Sequence, residues 1–182
     1  AVDTDRKGLE ADGKINSIDE ATEFFGISSD NIRNLLDKVR VLAGYPECKW
    51  LKTADPDKGE VGLSIQSADA GAGGVRQIGR LLMIEHSAEF CLKIENLVNA
   101  AKEGLPGGSD VNIHIFAGMG GGTGAGTFLD VCYLVQKALQ DVGEYGHALI
   151  CGYFFLPDVN LSIPEIASGD TISKYIKANG FA

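Results

Sequence analysis

The sequence predicts an α/β fold built on a mostly parallel sheet, because strand-like segments alternate with helical ones. Three segments carry this prediction. Val111 to Phe116 (VNIHIF) alternates apolar and polar residues with the period of a strand. Phe128 to Leu139 follows as a helix. Ala148 to Phe155 (ALICGYFF) is a nearly continuous apolar run bounded by Gly146 and Pro157, the pattern of a central strand covered on both faces. A dense glycine cluster separates the first strand from the helix, so the order is strand, glycine loop, helix, strand.

The elements before this unit are read in chain order. Ala1 to Asp5 (AVDTD) has the pattern of a strand end running into a polar turn, so the chain is expected to open partway through a fold. Ile18 to Gly26 precedes Ser29 to Ala43, where Ile32, Leu35, Leu36, Val39 and Leu42 recur at helical spacing behind the capping residues Ser28, Ser29 and Asp30. Pro46, Pro56 and the turn cluster Asp55 to Lys58 mark residues 44–62 as an irregular connection. Gly71 to Gly74 then lead into Val75 to Asn99, whose apolar pattern predicts one long helix or two consecutive ones. Gly104 to Ser109 ends that run.

Composition narrows the function. The 182 residues suit a single domain with a full core, and 45% hydrophobic with 23% charged residues is the balance of a folded globular protein. With 16 basic and 25 acidic residues the net charge is −9, and no run of Lys or Arg forms a stripe that would neutralise a nucleic-acid backbone. Nucleic acid is therefore not an expected partner. No apolar stretch approaches the roughly 20 residues that cross a bilayer, so no membrane partner is expected either. Cys48, Cys91, Cys132 and Cys151 form no CxxC pair, and His86, His114 and His147 do not flank them at metal-ligand spacing. They are expected to be reduced, mostly buried thiols, which places the chain in the cytoplasm.

The segment Gly118 to Thr127 (GMGGGTGAGT) is the candidate site. Glycines are entropically costly, so such density is accounted for by positive φ or by close approach of a ligand, and the alternative is tight strand-to-helix packing. Between a strand and a helix, successive N–H groups can converge on an anion at the positive end of the helix dipole. Thr123 adds a hydroxyl donor, and Thr127 could do the same or cap the helix. A Walker loop is excluded, since the frame Gly121 to Thr127 contains no lysine. A nicotinamide dinucleotide loop is met weakly by Gly120, Gly122 and Ala125, but the ribose acid expected about 20 residues on is missing, the first carboxylate after the next strand being Asp158.

The run Gly120 to Gly126 (GGGTGAG) resembles the signature of the tubulin/FtsZ superfamily. Ala72, Gly73 and Gly79, within AGAGGVRQIG, resemble its earlier AGxxxxxG loop, and the opening AVDTD resembles its second strand and the loop after it. Arg76 and Arg80 in GAGGVRQIGR and the turn Pro157 to Asn160 (PDVN) are most similar to the bacterial tubulin-like proteins. The resemblance spans roughly Ala1 to Ala182, with residues 12–62 standing apart as a family-specific helical insertion.

This resemblance implies a Rossmann-like three-layer, mostly parallel sheet flanked by helices, part of a nucleotide-binding domain. It implies binding of GTP or GDP, with Mg²⁺ held through the phosphates rather than by a protein ligand set. Gly120, Gly121, Gly122, Thr123, Gly124, Ala125 and Gly126 would wrap the phosphates; Ala72, Gly73 and Gly74 would close over the γ-phosphate end, with Arg76 beside them. Asp158, Asn160, Glu165 and Asn179 are the candidates for ribose and base. The family's first strand and first glycine loop would precede Ala1, and its catalytic acid would follow Ala182, so hydrolysis and self-association belong to the full-length protein. A filament-forming or interaction module with weak or lost nucleotide binding, and a nicotinamide dinucleotide-binding domain, are the alternatives.

Overall fold

The computed structural model describes residues 2–3, 24–27, 72 and 74–181. It divides into two compact units, residues 1–73 and 74–182. In the first unit β1 (Val2–Asp3) pairs in parallel with β2 (Phe25–Gly26), Val2 opposite Phe25. Phe24 and Ile27, on either side of β2, are buried. The expected strand end within Ala1 to Asp5 is thus present as β1. The expected insertion of residues 12–62, with its helix at Ser29 to Ala43, lies outside the described residues except at Phe24 to Ile27.

The second unit runs α1 (Arg76–Glu85), α2 (Ser87–Lys102), β3 (Val111–Gly118), α3 (Gly122–Asp141), a 3₁₀ turn (Tyr145–His147), β4 (Ala148–Phe155), α4 (Pro157–Leu161), α5 (Pro164–Ala167) and α6 (Asp170–Phe181). The apolar run from Val75 to Asn99 resolves into two helices because the backbone breaks at His86, with φ −96° and ψ 12°. His86 then serves as the N-cap of α2, its Nδ1 lying 3.0 Å from Oε2 of Glu89. Glu89 in the first turn of α2 and Lys102 in the last complement the helix dipole. Lys102 is also ion-paired with Glu144, beyond the end of α3.

β3 and β4 are parallel and in register from Val111 opposite Ala148 to Gly118 opposite Phe155, with α3 as the crossover between them. The loop that starts the crossover continues the ladder, since the Met119 N–H donates to the Phe155 carbonyl at 2.8 Å. At its far end α3 stops at Gly143, whose φ of 77° is left-handed. The Gly143 N–H bonds the Gln140 carbonyl and the Glu144 N–H bonds the Leu139 carbonyl, which together form a Schellman cap.

The core of this unit lies between α1, α2 and α3. Leu81 and Met83 from α1, Phe90 and Val98 from α2, and Val135, Ala138 and Leu139 from α3 are all buried. On one face of the strand pair Phe128 of α3 meets Phe154 edge-on at 5.2 Å. The opposite face carries Phe116, Leu149, Tyr153 and Phe155, all exposed, with Phe116 stacked on Tyr153 at 4.6 Å. The expectation that Ala148 to Phe155 is covered on both faces is therefore not met among the described residues. No helix among them is long and apolar enough to cross a membrane.

The helix predicted to start at Phe128 starts at Gly122 instead, and the difference has a packing cause. A methyl group on Gly79 of α1 would collide with the backbone of Gly122 and Thr123, and one on Gly126 would collide with the backbone of Arg76 and Arg80. One on Gly124 would strike the backbone of Gly118 at the end of β3. Glycine therefore lets α1 and α3 meet backbone to backbone and lets α3 begin directly beside the strand it follows. Replacing Gly79 by Ala should lower stability by about 1–3 kcal/mol through overpacking. Gly107→Ala, into open space, should change it by less than about 0.5 kcal/mol. Urea denaturation of the two variants measures the difference.

Candidate functional site

The glycine-rich segment Gly118 to Thr127 is divided in two by the fold. Only Met119, Gly120 and Gly121 lie outside regular structure; Gly122 to Thr127 form the opening turns of α3. None of these glycines has positive φ. At Gly120, Gly124 and Gly126 the need for glycine comes from close approach of the protein's own atoms, the tight packing that stood as the alternative, and not from positive φ. Gly124 and Gly126 face backbone, and Gly120 faces the Asn160 side chain, whose Oδ1 would lie 2.7 Å from an added methyl carbon, and Ile176 Cγ2 at 3.1 Å.

Gly121 is different. It is the N-cap of α3, extended at φ −90° and ψ 168°, exposed, and a side chain there would meet nothing within 4 Å. The backbone N–H groups at the start of a helix have no intrahelical carbonyl to bond. In α3 these include Gly121, Gly122 and Gly124, at the positive end of a helix of 20 residues. This end sits at the carboxyl ends of β3 and β4, the edge at which open parallel sheets bind ligands. The arrangement can receive an anion without any side-chain charge.

The remaining candidates fall into three groups. Thr123 and Ala125 are in the first turn of α3, Thr123 half-buried and Ala125 buried. Thr127 is 5% exposed within the helix, so it does not cap it; Gly121 does. Gly74 forms a turn with φ 78°, a conformation that needs glycine. Ala72 is a buried turn residue of the first unit, and Gly73 falls outside the described residues.

Arg76, at the start of α1, donates from Nη1 to the Asn179 carbonyl at 3.5 Å. Arg80 is committed elsewhere: Nε and Nη2 grip Oδ2 and Oδ1 of Asp130 at 3.0 and 3.2 Å, a two-pronged pair between α1 and α3. Asp158 is exposed in the first turn of α4. Glu165 is on α5, and its side chain is outside the described residues. Asn179 is 8% exposed on α6, and its Nδ2 donates to the carbonyls of Gly74 at 2.7 Å and Gly120 at 3.1 Å. Of the four ribose and base candidates, the structure brings Asn160 and Asn179 to the glycine loop.

Asp130 was not singled out from sequence, because a partner for Arg80 that lies 50 residues away leaves no local pattern. The same holds for the group formed by Cys91, Glu95 and Asp141, whose potential ligand atoms lie within 4.8 Å of one another. Lys137 is already paired with Asp141 there. Burial pushes the Cys91 thiol up, away from the thiolate that a metal needs. Burial likewise raises Cys132. Cys91, Cys132 and Cys151 are free thiols, the first buried and the others half-buried, and Cys48 lies outside the described residues.

Comparison with known proteins gives one finding. A family model described as tubulin-like matches residues 1–182. No curated protein and no solved structure matches the chain.

The pairing of Arg80 separates a structural arginine from a phosphate-binding one. Asp130→Asn should lower stability by about 1 kcal/mol, a value held down by the partial exposure of Arg80. Arg80→Lys, which loses the fork, should lower it similarly, and the loss should be equal with and without GTP in thermal unfolding. A loss that grows when GTP is present would make Arg80 a ligand instead.

Proposed function

We propose a guanine-nucleotide-binding role from one premise: the chain belongs to the tubulin-like family, whose model covers residues 1–182. The observation that carries the proposal is Gly121. Packing accounts for Gly120, Gly124 and Gly126, but it leaves Gly121 unexplained: an exposed N-cap with open space before it. A phosphate group there would be held by main-chain N–H groups at the positive helix end, a fit that requires no lysine. The half-buried Thr123 lies in the same turn, and Gly74 and Arg76 are joined to the Gly120 loop through Asn179.

The chain's own contribution is to bind and orient the phosphates. The Gly121 and Gly122 amides would receive phosphate oxygens, and the backbone contact of α1 with α3 would hold those amides in place. Mg²⁺, held through the phosphates, would supply charge neutralisation. Asp158, Asn160 and Glu165 stand as the candidates for ribose and base. We further propose kinship with the bacterial tubulin-like branch, and GTP hydrolysis coupled to self-association in the full-length protein, in the cytoplasm, with the acid coming from a neighbouring subunit.

A second reading is favoured by a specific observation. Because Gly79, Gly124 and Gly126 are needed for packing alone, the motif would persist in an assembly module that had lost its nucleotide. Light scattering of the full-length protein with and without GTP separates the two, since a module assembles equally in both.

Gly121→Val is the direct test. It adds a side chain where nothing stands within 4 Å, so the loss of stability should be confined to the poorer N-cap that Val makes, about 1 kcal/mol. It should also block the anion, weakening binding of a fluorescent GTP analogue by at least about tenfold, or about 1.4 kcal/mol. Failure of the parent protein to bind GTP at millimolar concentration would sink the nucleotide reading.

A further inference from the structure

We propose that Asn179 is a positioning residue that straps the Gly74 turn to the Gly120 loop and thereby aims the phosphate-facing amides, an inference that rests on the nucleotide reading above. The carboxamide donates both of its hydrogens, one to the Gly74 carbonyl at 2.7 Å and one to the Gly120 carbonyl at 3.1 Å. These partners lie 105 and 59 residues away in sequence. One side chain at the end of α6 therefore joins the turn that precedes α1 to the loop that precedes α3. The Arg76 guanidinium closes the arrangement from the other direction, donating to the Asn179 carbonyl at 3.5 Å.

The consequence follows from peptide geometry. In a trans peptide the C=O and N–H point in opposite directions. Holding the Gly120 carbonyl inward on the buried Asn179 turns the Gly121 N–H outward, to the exposed side of the N-cap. Holding the Gly74 carbonyl inward does the same for the Val75 N–H at the start of α1. Asn179 thus acts on the anion site through two backbone units without touching the nucleotide. Asp in its place would set a carboxylate against two carbonyl oxygens, and Ala would leave both carbonyls without this donor.

The test uses the full-length protein with Asn179→Asp, Asn179→Ala and, as a control on the exposed side of α6, Lys174→Ala. Affinity for a fluorescent GTP analogue should fall about tenfold in both Asn179 variants and stay unchanged in the control. The ratios of GTP affinity to those for 2′-deoxy-GTP and ITP should be the same as in the parent, because the strap acts on the phosphates. A changed ratio would overturn the strap and make Asn179 a ribose or base contact.

Hydrogen exchange in the nucleotide-free protein supplies a readout that needs no ligand. The hydrogen-bonded amides beside the two strapped units, Met119 on the Phe155 carbonyl and Ile78 on the Val75 carbonyl, should exchange faster in Asn179→Ala than in the parent, relative to amides in the middle of α3, and equal rates would overturn the strap. If the parent fails to bind GTP, the nucleotide reading falls while this exchange measurement still decides the strap. Should Asn179→Ala not fold, Asn179→Asp keeps the side-chain shape, lacks both donors, and is read in the same way.

Discussion

Everything in the second unit depends on the backbone contact between α1 and α3. Gly79 and Gly126 remove the side chains that would hold the two helices apart, and each then rests on the main chain of the other helix. Helices carrying ordinary side chains pack about 8–10 Å apart, and glycine at a crossing allows a closer approach. That approach brings Arg80 within two-pronged reach of Asp130 and seals the apolar layer formed by Leu81, Met83, Val135 and Leu139. Gly124 extends the same logic to the strand, seating the first turn of α3 against Gly118.

The position of the candidate site is a by-product of this packing. With α3 pressed against both α1 and the end of β3, only three residues join strand to helix, and the helix N-terminus is delivered to the carboxyl edge of the parallel pair. Gly121 is the residue of that connection left open on the outside. The main-chain amides there are oriented by groups that are themselves fixed: the Met119 N–H on the Phe155 carbonyl, and the Gly120 carbonyl on Asn179. Such an arrangement holds its shape before a ligand arrives, which is the condition for electrostatic stabilisation at low reorganisation cost.

The glycine motif shows how one sequence pattern can serve two physical demands. Read along the chain, GGGTGAG resembles a tubulin-type signature, and the tubulin-like family model matches the whole of residues 1–182. In three dimensions Gly124 and Gly126 serve packing, while Gly121 is the position that packing leaves free. Packing and exposure meet in one segment because only three residues join the strand to the helix. The aromatic face of the strand pair, with Phe116 and Tyr153 stacked and exposed, is where the expected two-sided covering of β4 was not met.

By itself the sequence determined the order strand, glycine segment, helix, strand, and the bounds of Ala148–Phe155, because alternation and helical spacing are written locally. It also determined the family, through a glycine run too dense for chance and a second loop upstream. Only the tertiary structure decided that α3 starts at Gly122, that Arg80 is bound to Asp130, and that Asn179 joins two loops. Each of those facts depends on residues 40 or more positions apart meeting across the fold, and no local period or spacing encodes such a meeting.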